Sequence, residues 1–375
     1  MTRICHLTSV HKSNDVRIFR KECSSLAKNP DYDVFLVARG DSREENGVHV
    51  VGVGEYRGGR IGRAKYFSEK VVKTGLAINA DIYHLHDPEL LRFALELKKN
   101  GKIVIFDSHE DYANQLRIKP YIPAPLRPVI AGTYHLFETG VAKKIDAVII
   151  PTEQEGDGNY FRGRCRRCVT VGNTPVKSEI YDRFDDDRDY SRKKVCYVGG
   201  LHKNRGIVQL VKGCYCAGAD LILGGPFENE EFEKEVKSMP EYRCVDYRGV
   251  CDRDQVVEIL REAGIGASTL LNVGQYSGLT NLATKVYEYM SAGLPVISYS
   301  YPYIENLTQE YPFAELVDSG SYYSIAKAVE KLSEDGELRR RMGNIGRQLI
   351  RDRFNWDFDE KNLFDLYESL LKERG

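Results

Sequence analysis

Short apolar runs alternate with longer segments of helical period along almost the whole chain, the pattern of parallel βαβ units. In the first half, residues 3–8, 33–37, 48–53, 82–86, 103–107 and 147–150 read as strands. Residues 16–26, 64–78, 88–99 and 126–143 carry the helical period between them. A further strand at 168–171 runs into Gly172-Asn173-Thr174-Pro175, a turn-rich break. The charged stretch 183–189 reads as a solvated linker rather than a metal site, because its aspartates are adjacent and no other ligand cluster joins them. The alternation then restarts, with strands at 194–198, 221–223, 245–247, 265–268 and 295–298. Helices begin at 206 and span 254–263, 282–291 and 322–332, and an amphipathic helix occupies 356–372.

That restart divides the chain. At 375 residues it exceeds what one hydrophobic core usually organises. Two doubly wound α/β domains are expected, at 1–175 and 176–354. Such sheets bind ligands outside the carboxyl ends of their strands, where the strand order reverses. Two of them facing each other would place their ligand loops across a shared cleft.

A formal net charge of −1 excludes the global field of a nucleic-acid binder, so any anion recognition is local. The N-terminus runs straight into a strand without the apolar segment of a secretion signal. No stretch approaches the roughly 20 apolar residues of a membrane span. Nine scattered cysteines form no disulfide framework, and Cys165 and Cys168 lack a second pair at zinc-ribbon spacing. A cytoplasmic protein with free thiols is expected.

Residues 284–297 read as an amphipathic helix, a glycine stop and a buried strand. The preceding loop, 275–281, offers backbone N–H groups and hydroxyls at a helix N-terminus, whose partial positive charge suits a diphosphate. Lys285 and Glu288 share one helix face. That pairs a cation for phosphate with a carboxylate for sugar hydroxyls, although an ordinary surface pair has the same spacing. A second run, Gly199-Gly200-Leu201-His202-Lys203-Asn204-Arg205-Gly206, directly follows a strand. Its glycines permit close backbone approach, and Lys203 and Arg205 supply donors for phosphate oxygens. Gly224-Gly225-Pro226 and Arg248-Gly249 end neighbouring strands, where a base or ribose would lie against them or where the chain simply turns.

In the first domain, His11, Asp15 and Arg17 fill the first strand-to-helix loop. His84, His86, Asp87 and Glu89 close one strand, and Asp107, His109, Glu110 and Asp111 close another. These clusters raise zinc or acid–base chemistry, but no His-Glu-x-x-His helix supports a metal. His84 reads as a core residue, Glu89 as a first-turn residue, and His109 as the best catalytic candidate of this half. Arg57, Arg60, Arg63, Lys65, Lys70 and Lys73 crowd one segment, followed by the aromatic and proline-rich stretch 119–127. This reads either as weak attachment to anionic lipid or as a solvated basic face.

Taken together, the Thr284-Lys285-x-x-Glu288-Tyr289-Met290-x-x-Gly293-x-Pro295-Val296 run, the Gly199-Gly200-x-x-x-x-Arg205-Gly206 loop and Asp107-x-His109-Glu110 resemble retaining glycosyltransferases of family 4, which have the two-lobed GT-B fold. The stretch from His11 to Glu22 and the run His86-Asp87-Pro88-Glu89-Leu90-Leu91 resemble a bacterial branch that builds surface polysaccharides. The resemblance implies transfer of a sugar from a UDP- or GDP-sugar to a glycan or lipid-linked acceptor. It implies retention, no metal and no cofactor, at the inner face of the membrane. It also implies that the final helix, 355–375, crosses back to the first domain.

By the same resemblance Glu288 binds the nucleotide ribose, and the backbone of Asn281, Leu282, Ala283 and Thr284 meets the diphosphate. Arg205 and Lys285 stabilise its leaving charge, and His109 lies by the reacting sugar. Gly199, Gly200, Gly225, Arg248 and Thr280 line the nucleotide-sugar site, and His11, Asp15, Arg17, His86, Asp87 and Glu110 fall on the acceptor side. The chain departs from the family at Thr280, where a glutamate usually contacts the donor sugar. It departs again at Gly200, where many members have arginine, and at Arg205, where they have lysine. The alternatives are a nucleotide-sugar epimerase of the same architecture and a non-catalytic, degenerate subunit. A dehydrogenase is disfavoured because no Gly-x-Gly-x-x-Gly opens the first βαβ unit.

Overall fold

The computed structural model describes residues 1–119, 121–151, 159–185, 188–273, 279 and 281–374. Pro120, Asp186, Asp187, Thr280 and residues 275–278 of the expected diphosphate loop lie outside them. The chain forms two compact units, Met1–Asn173 with Asp357–Gly375, and Thr174–Trp356.

The first unit holds β1 (Thr2–Lys12), β2 (Tyr32–Arg39), β3 (Arg43–Glu45), β4 (Val48–Gly52), β5 (Ile82–Leu85), β6 (Ile103–Asp107), β7 (Ala147–Ile150) and β8 (Cys168–Thr170). Their order is β3-β4-β2-β1-β5-β6-β7-β8, parallel throughout except for β3 against β4. The second unit orders β9 (Val195–Val198), β10 (Leu221–Gly224), β11 (Val245–Tyr247), β12 (Ile265–Ser268), β13 (Val296–Tyr299) and β14 (Ala314–Val317) as β11-β10-β9-β12-β13-β14, all parallel. Both are doubly wound. Strand order reverses between β1 and β5 in one sheet and between β9 and β12 in the other, which fixes where ligand loops gather. The central strands are buried on both faces, so they read as continuous apolar runs.

The helices that matter below are α1 (Val16–Cys23), α2 (Ser68–Ile78), α3 (Leu91–Lys99), α4 (Arg127–Ala142), α5 (Ile207–Cys216), α6 (Glu230–Lys237), α7 (Arg253–Glu262), α8 (Thr284–Ser291), α9 (Pro302–Glu310), α10 (Tyr322–Glu334), α11 (Gly336–Asp352) and α12 (Trp356–Arg374). Helix α7 starts at a capping box in which Asp252 and Gln255 satisfy each other's backbone N–H groups. Helix α8 is tied to both strands at the reversal: the Tyr289 hydroxyl accepts from the Val198 N–H and donates to the Ala267 carbonyl, each at 3.2 Å. Gly293, at φ +72°, stops that helix. Helix α12 belongs to the first unit, burying Leu363, Leu366, Tyr367 and Leu370 there. Its Asp359 accepts from the Gly172 N–H at 2.6 Å.

Three expectations change. The stretch 183–189 is not a solvated linker throughout: Arg188 donates to the Ala292 carbonyl at 2.8 Å and also reaches those of Leu260 and Ala263. Strand β14 and helices α6, α9 and α11 were not anticipated, and neither was β3, whose Arg-Glu-Glu sequence carries no apolar signal. Strand β1 runs on to Lys12 through an irregularity after Leu7.

Candidate functional site

In the second unit the turn after β9 carries Gly199 and Gly200. Gly199 sits at φ +132°, a conformation that L side chains rarely adopt. A Cβ there would stand 3.4 Å from Lys285 Nζ and 3.5 Å from Arg205 Nη1. The space a side chain would fill is thus left open beside two cations. Arg205 Nη1 also donates to the Gly200 carbonyl at 3.3 Å, and a Cβ on Gly200 would press on the His202 ring.

Lys285 lies in the first turn of α8 and is 8% exposed. Its ammonium sits 3.4 Å from the centroid of the Tyr197 ring and meets no hydrogen-bond acceptor among the described residues. Burial first, then the charge of Arg205, holds this amine well below the usual lysine range, with Glu288 opposing. No side chain caps α8 among the described residues, and the Val286 N–H turns back to the Ala283 carbonyl at 2.8 Å. A buried cation without an acceptor, beside a second cation and an uncapped helix N-terminus, makes an anion site.

One turn along α8, Glu288 accepts from Arg253 Nη1 at 2.6 Å, and Arg253 Nη2 donates to Glu179 at 2.9 Å. Of the other expected residues, Asn281 uses its carbonyl to accept from the Tyr301 hydroxyl at 3.0 Å. Leu282 is buried, and Ala283 directly precedes the helix. Gly225, also at φ +132°, lets its loop press against the Gly199 backbone. Arg248 is held by Asp246 at 2.6 Å and Glu262 at 2.9 Å.

The first unit has a pocket of about 690 Å³, bounded by His11, His86, Glu89, His109, Tyr112 and Phe137 among others. Asp107, fully buried at the end of β6, lies behind it and accepts from Arg17 Nε and Nη2, both at 2.9 Å. Burial works against its charge, but Arg17 and His109 hold its carboxyl well below the usual range. Arg17 also donates to the carbonyls of Gly172 and Val171. Asp87 Oδ2 accepts from the Thr8 hydroxyl at 2.9 Å and from the N–H groups of Ser9 and Val10 at 2.6 and 3.1 Å. These two residues therefore frame the pocket, with their hydrogen-bonding capacity largely used inside the fold.

His11 Nδ1 lies 3.0 Å from Asp15, and its ring centroid lies 5.1 Å from that of His109. Burial lowers the affinity of His11 for a proton, but the hydrogen bond to Asp15 and the charge of Asp87 outweigh it and raise the pKa. Glu110 lines the pocket and accepts from the Gln115 side chain. Glu89, expected as a first-turn residue, accepts from the Ser9 hydroxyl at 2.6 Å and pairs with Arg63.

His6, Glu22, His84 and His86 offer possible metal-ligand atoms within 4.8 Å of one another, and so do His86, Asp107 and His109. In the first group, however, His6 Nδ1 and His86 Nε2 are 2.9 Å apart, and His84 Nδ1 is 2.8 Å from the Tyr367 hydroxyl. Those nitrogens are engaged in hydrogen bonds with one another and with Tyr367. Sequence reasoning did not single out His6, Glu22, Arg253 or Tyr367. For Glu22 a signal existed: it follows Ile18 by four residues and Phe19 by three, on the core face of α1, where a carboxylate needs a reason. Tyr367 carried none.

Residues 181–349 match the family described as Glycosyl transferases group 1, a span that contains Gly199, Arg205, Arg253, Lys285 and Glu288. An uncharacterized glycosyltransferase of Methanocaldococcus jannaschii is 23% identical over 202 residues, 52% of this chain and 50% of that protein. The match thus spans about half the length of this relative. Among solved structures, sucrose-phosphate synthase of Thermosynechococcus elongatus gives a TM-score of 0.77 at 14% identity over the whole of both chains. Anabaena HepE, in complex with UDP and glucose, gives 0.69 at 14% identity over 98% of this chain and all of that one. These likenesses show the fold, the two-domain GT-B architecture with parallel sheets.

Proposed function

We propose that this chain is a retaining, metal-independent glycosyltransferase of the family 4 kind, with the first unit holding the acceptor and the second the donor. It moves a sugar from a UDP- or GDP-sugar to a glycan or lipid-linked acceptor, in the synthesis of a bacterial surface polysaccharide. The carrying observation is Lys285, a buried amine with no acceptor among the described residues, at the start of α8 beside the open side of Gly199. The family match over 181–349 and the UDP bound by HepE support a nucleoside diphosphate as the missing anion.

Arg205, Lys285 and the α8 N-terminus stabilise charge that grows on the departing diphosphate. The bond from the anomeric carbon to the diphosphate oxygen breaks, and its electron pair stays on that oxygen. The acceptor oxygen bonds to the same face of the sugar and passes its proton to the diphosphate. Glu288, held at one oxygen by Arg253, keeps the other for ribose hydroxyls. The acceptor occupies the pocket beside His109. No helix among the described residues is long and apolar enough to cross a membrane. Contact with a lipid-linked acceptor is then peripheral, through Arg57, Arg60 and the exposed Ile61 and Tyr121.

Calorimetry with UDP, GDP and ADP, beside steady-state rates in EDTA, tests the assignment. Glu288→Ala weakens nucleotide binding by about 1.5–3 kcal/mol. His109→Ala leaves that affinity within about twofold while kcat falls roughly 100-fold or more. The reverse pattern, or complete loss of turnover in EDTA restored by Mg²⁺, overturns the reading.

A further inference from the structure

The buried side chains behind the first unit's pocket are joined in a series with one free end and one charged end. His84 Nδ1 lies 2.8 Å from the Tyr367 hydroxyl, and that hydroxyl lies 3.3 Å from His6 Nε2. His6 Nδ1 lies 2.9 Å from His86 Nε2, and His86 Nδ1 lies 3.3 Å from Asp107 Oδ2 and 3.4 Å from His109 Nε2. His109 Nε2 meets the same oxygen at 3.1 Å. His6, His84, His86, Asp107 and Tyr367 are at most 2% exposed.

The chemistry allows one direction. Asp107, ionised against Arg17, can only accept. A bare lone pair at either nitrogen facing this carboxylate would be repelled by it, so His86 Nδ1 and His109 Nε2 both carry protons, and His86 Nε2 is left as a lone pair. His6 then donates to it through Nδ1 and has a lone pair at Nε2. Tyr367 has a single proton, gives it to His6, and accepts from His84 Nδ1–H. His84 Nε2 is left as a bare acceptor, and it has no partner among the described residues. The scheme needs neutral rings, and burial is the largest cause holding all three histidines below their ordinary value. Glu22 faces the same rings, with Oε2 3.9, 4.0 and 3.8 Å from His6, His84 and His86 and Oε1 3.1 Å from Arg17 Nε, and burial and the neighbouring Asp107 push its carboxyl well up.

We propose that this directed relay, with Tyr367 and His6 as positioning residues, fixes His86 and His109 as converging donors to Asp107, so that His109 presents Nδ1 to the pocket as a hydrogen-bond acceptor. A hydroxyl of the bound sugar is its natural donor. This last role rests on the glycosyltransferase reading; the tautomers do not.

Two measurements on the full chain separate the two. The first is imidazole ¹⁵N NMR of selectively labelled protein at pH 7, assigned by single substitutions. His6, His84 and His86 are expected neutral with the proton on Nδ1, and His109 with it on Nε2. Tyr367→Phe removes the hydroxyl that orients His6 and His84, and those two rings then show mixed tautomers. The opposite tautomer at His6 or His86 overturns the relay whatever the activity.

The second measurement is kinetic. In His86→Asn the amide nitrogen replaces Nδ1 and still reaches Asp107, whereas in His86→Gln it replaces Nε2 and cannot. Both variants lower kcat, and Gln is expected to lose about tenfold more than Asn, with nucleotide affinity moving by less than twofold in either. Equal losses in the two variants overturn the positioning role. Correct tautomers in a protein that transfers no sugar overturn the glycosyltransferase reading and leave the relay standing.

Discussion

Where β1, β5 and β6 end, the first unit packs His6, His84, His86, Arg17 and Asp107 into its core, each engaged with another. Where β9 and β12 end, the second unit offers glycine backbone, a helix without a side-chain cap and a buried amine without an acceptor among the described residues. The topological position is the same and the electrostatic state is opposite. A network that satisfies itself holds its geometry before any ligand arrives. A cation that does not is at rest only when a ligand brings the missing charge. Removing a charge should therefore cost stability in one unit and gain it in the other.

The largest effect expected is at Arg17. Arg17→Met leaves the buried Asp107 without its cation and should destabilise the first unit by about 3–5 kcal/mol. Hydrogen exchange, read separately on β1 and β9, would show the loss in β1 alone. Uniform loss in both would break the contrast.

Second comes pH. His6, His84 and His86 are neutral in the fold, with pKa values depressed from the ordinary 6.5, so unfolding takes up protons below that pH. Glu22 is depressed in acidity instead, raised above its ordinary 4.5, so unfolding releases a proton there. Below pH 6.5 uptake by the three histidines outweighs release by the one carboxyl, so the stability of the first unit should fall as the solution is acidified. A flat profile between pH 6.5 and 5 would mean that the histidines are charged in the fold.

The smallest effect has the opposite sign. Lys285→Met replaces an unmatched buried amine by an apolar chain of similar volume. It should raise the melting temperature of the ligand-free protein, by the equivalent of about 1–2 kcal/mol, while weakening UDP or GDP binding at least tenfold. A variant that melts lower and binds normally would show that the amine is already satisfied.

The contrast also explains what could be read before folding. The second unit's site is local in sequence: the glycine turn after β9 and the start of α8 each lie within a few residues, so both were recognisable as strings. The first unit's network joins residues 6, 22, 86 and 367 across hundreds of positions, and no periodicity links them. Strands with continuous apolar runs, such as β5 and β7, were legible because parallel sheets bury both faces. Strand β14 hides a glutamate between Ala314 and Leu316, and β3 is wholly polar, so neither carried the pattern. Arg253 drew no notice in the sequence, and the structure sets it between Glu179 and Glu288.

Helix α12 brings Tyr367 to strands that precede it by nearly the whole chain. A ribosome releases β1, β5 and β6 long before that tyrosine is added. Residues 174–356 must be translated first, and at common elongation rates residue 367 follows residue 173 by roughly 10–40 seconds. During that interval the nascent first unit holds His6 and His84 without the hydroxyl that joins them. The part of the protein made earliest is thus the last to mature, and a chaperone that guards its sheet has the whole of that delay in which to bind.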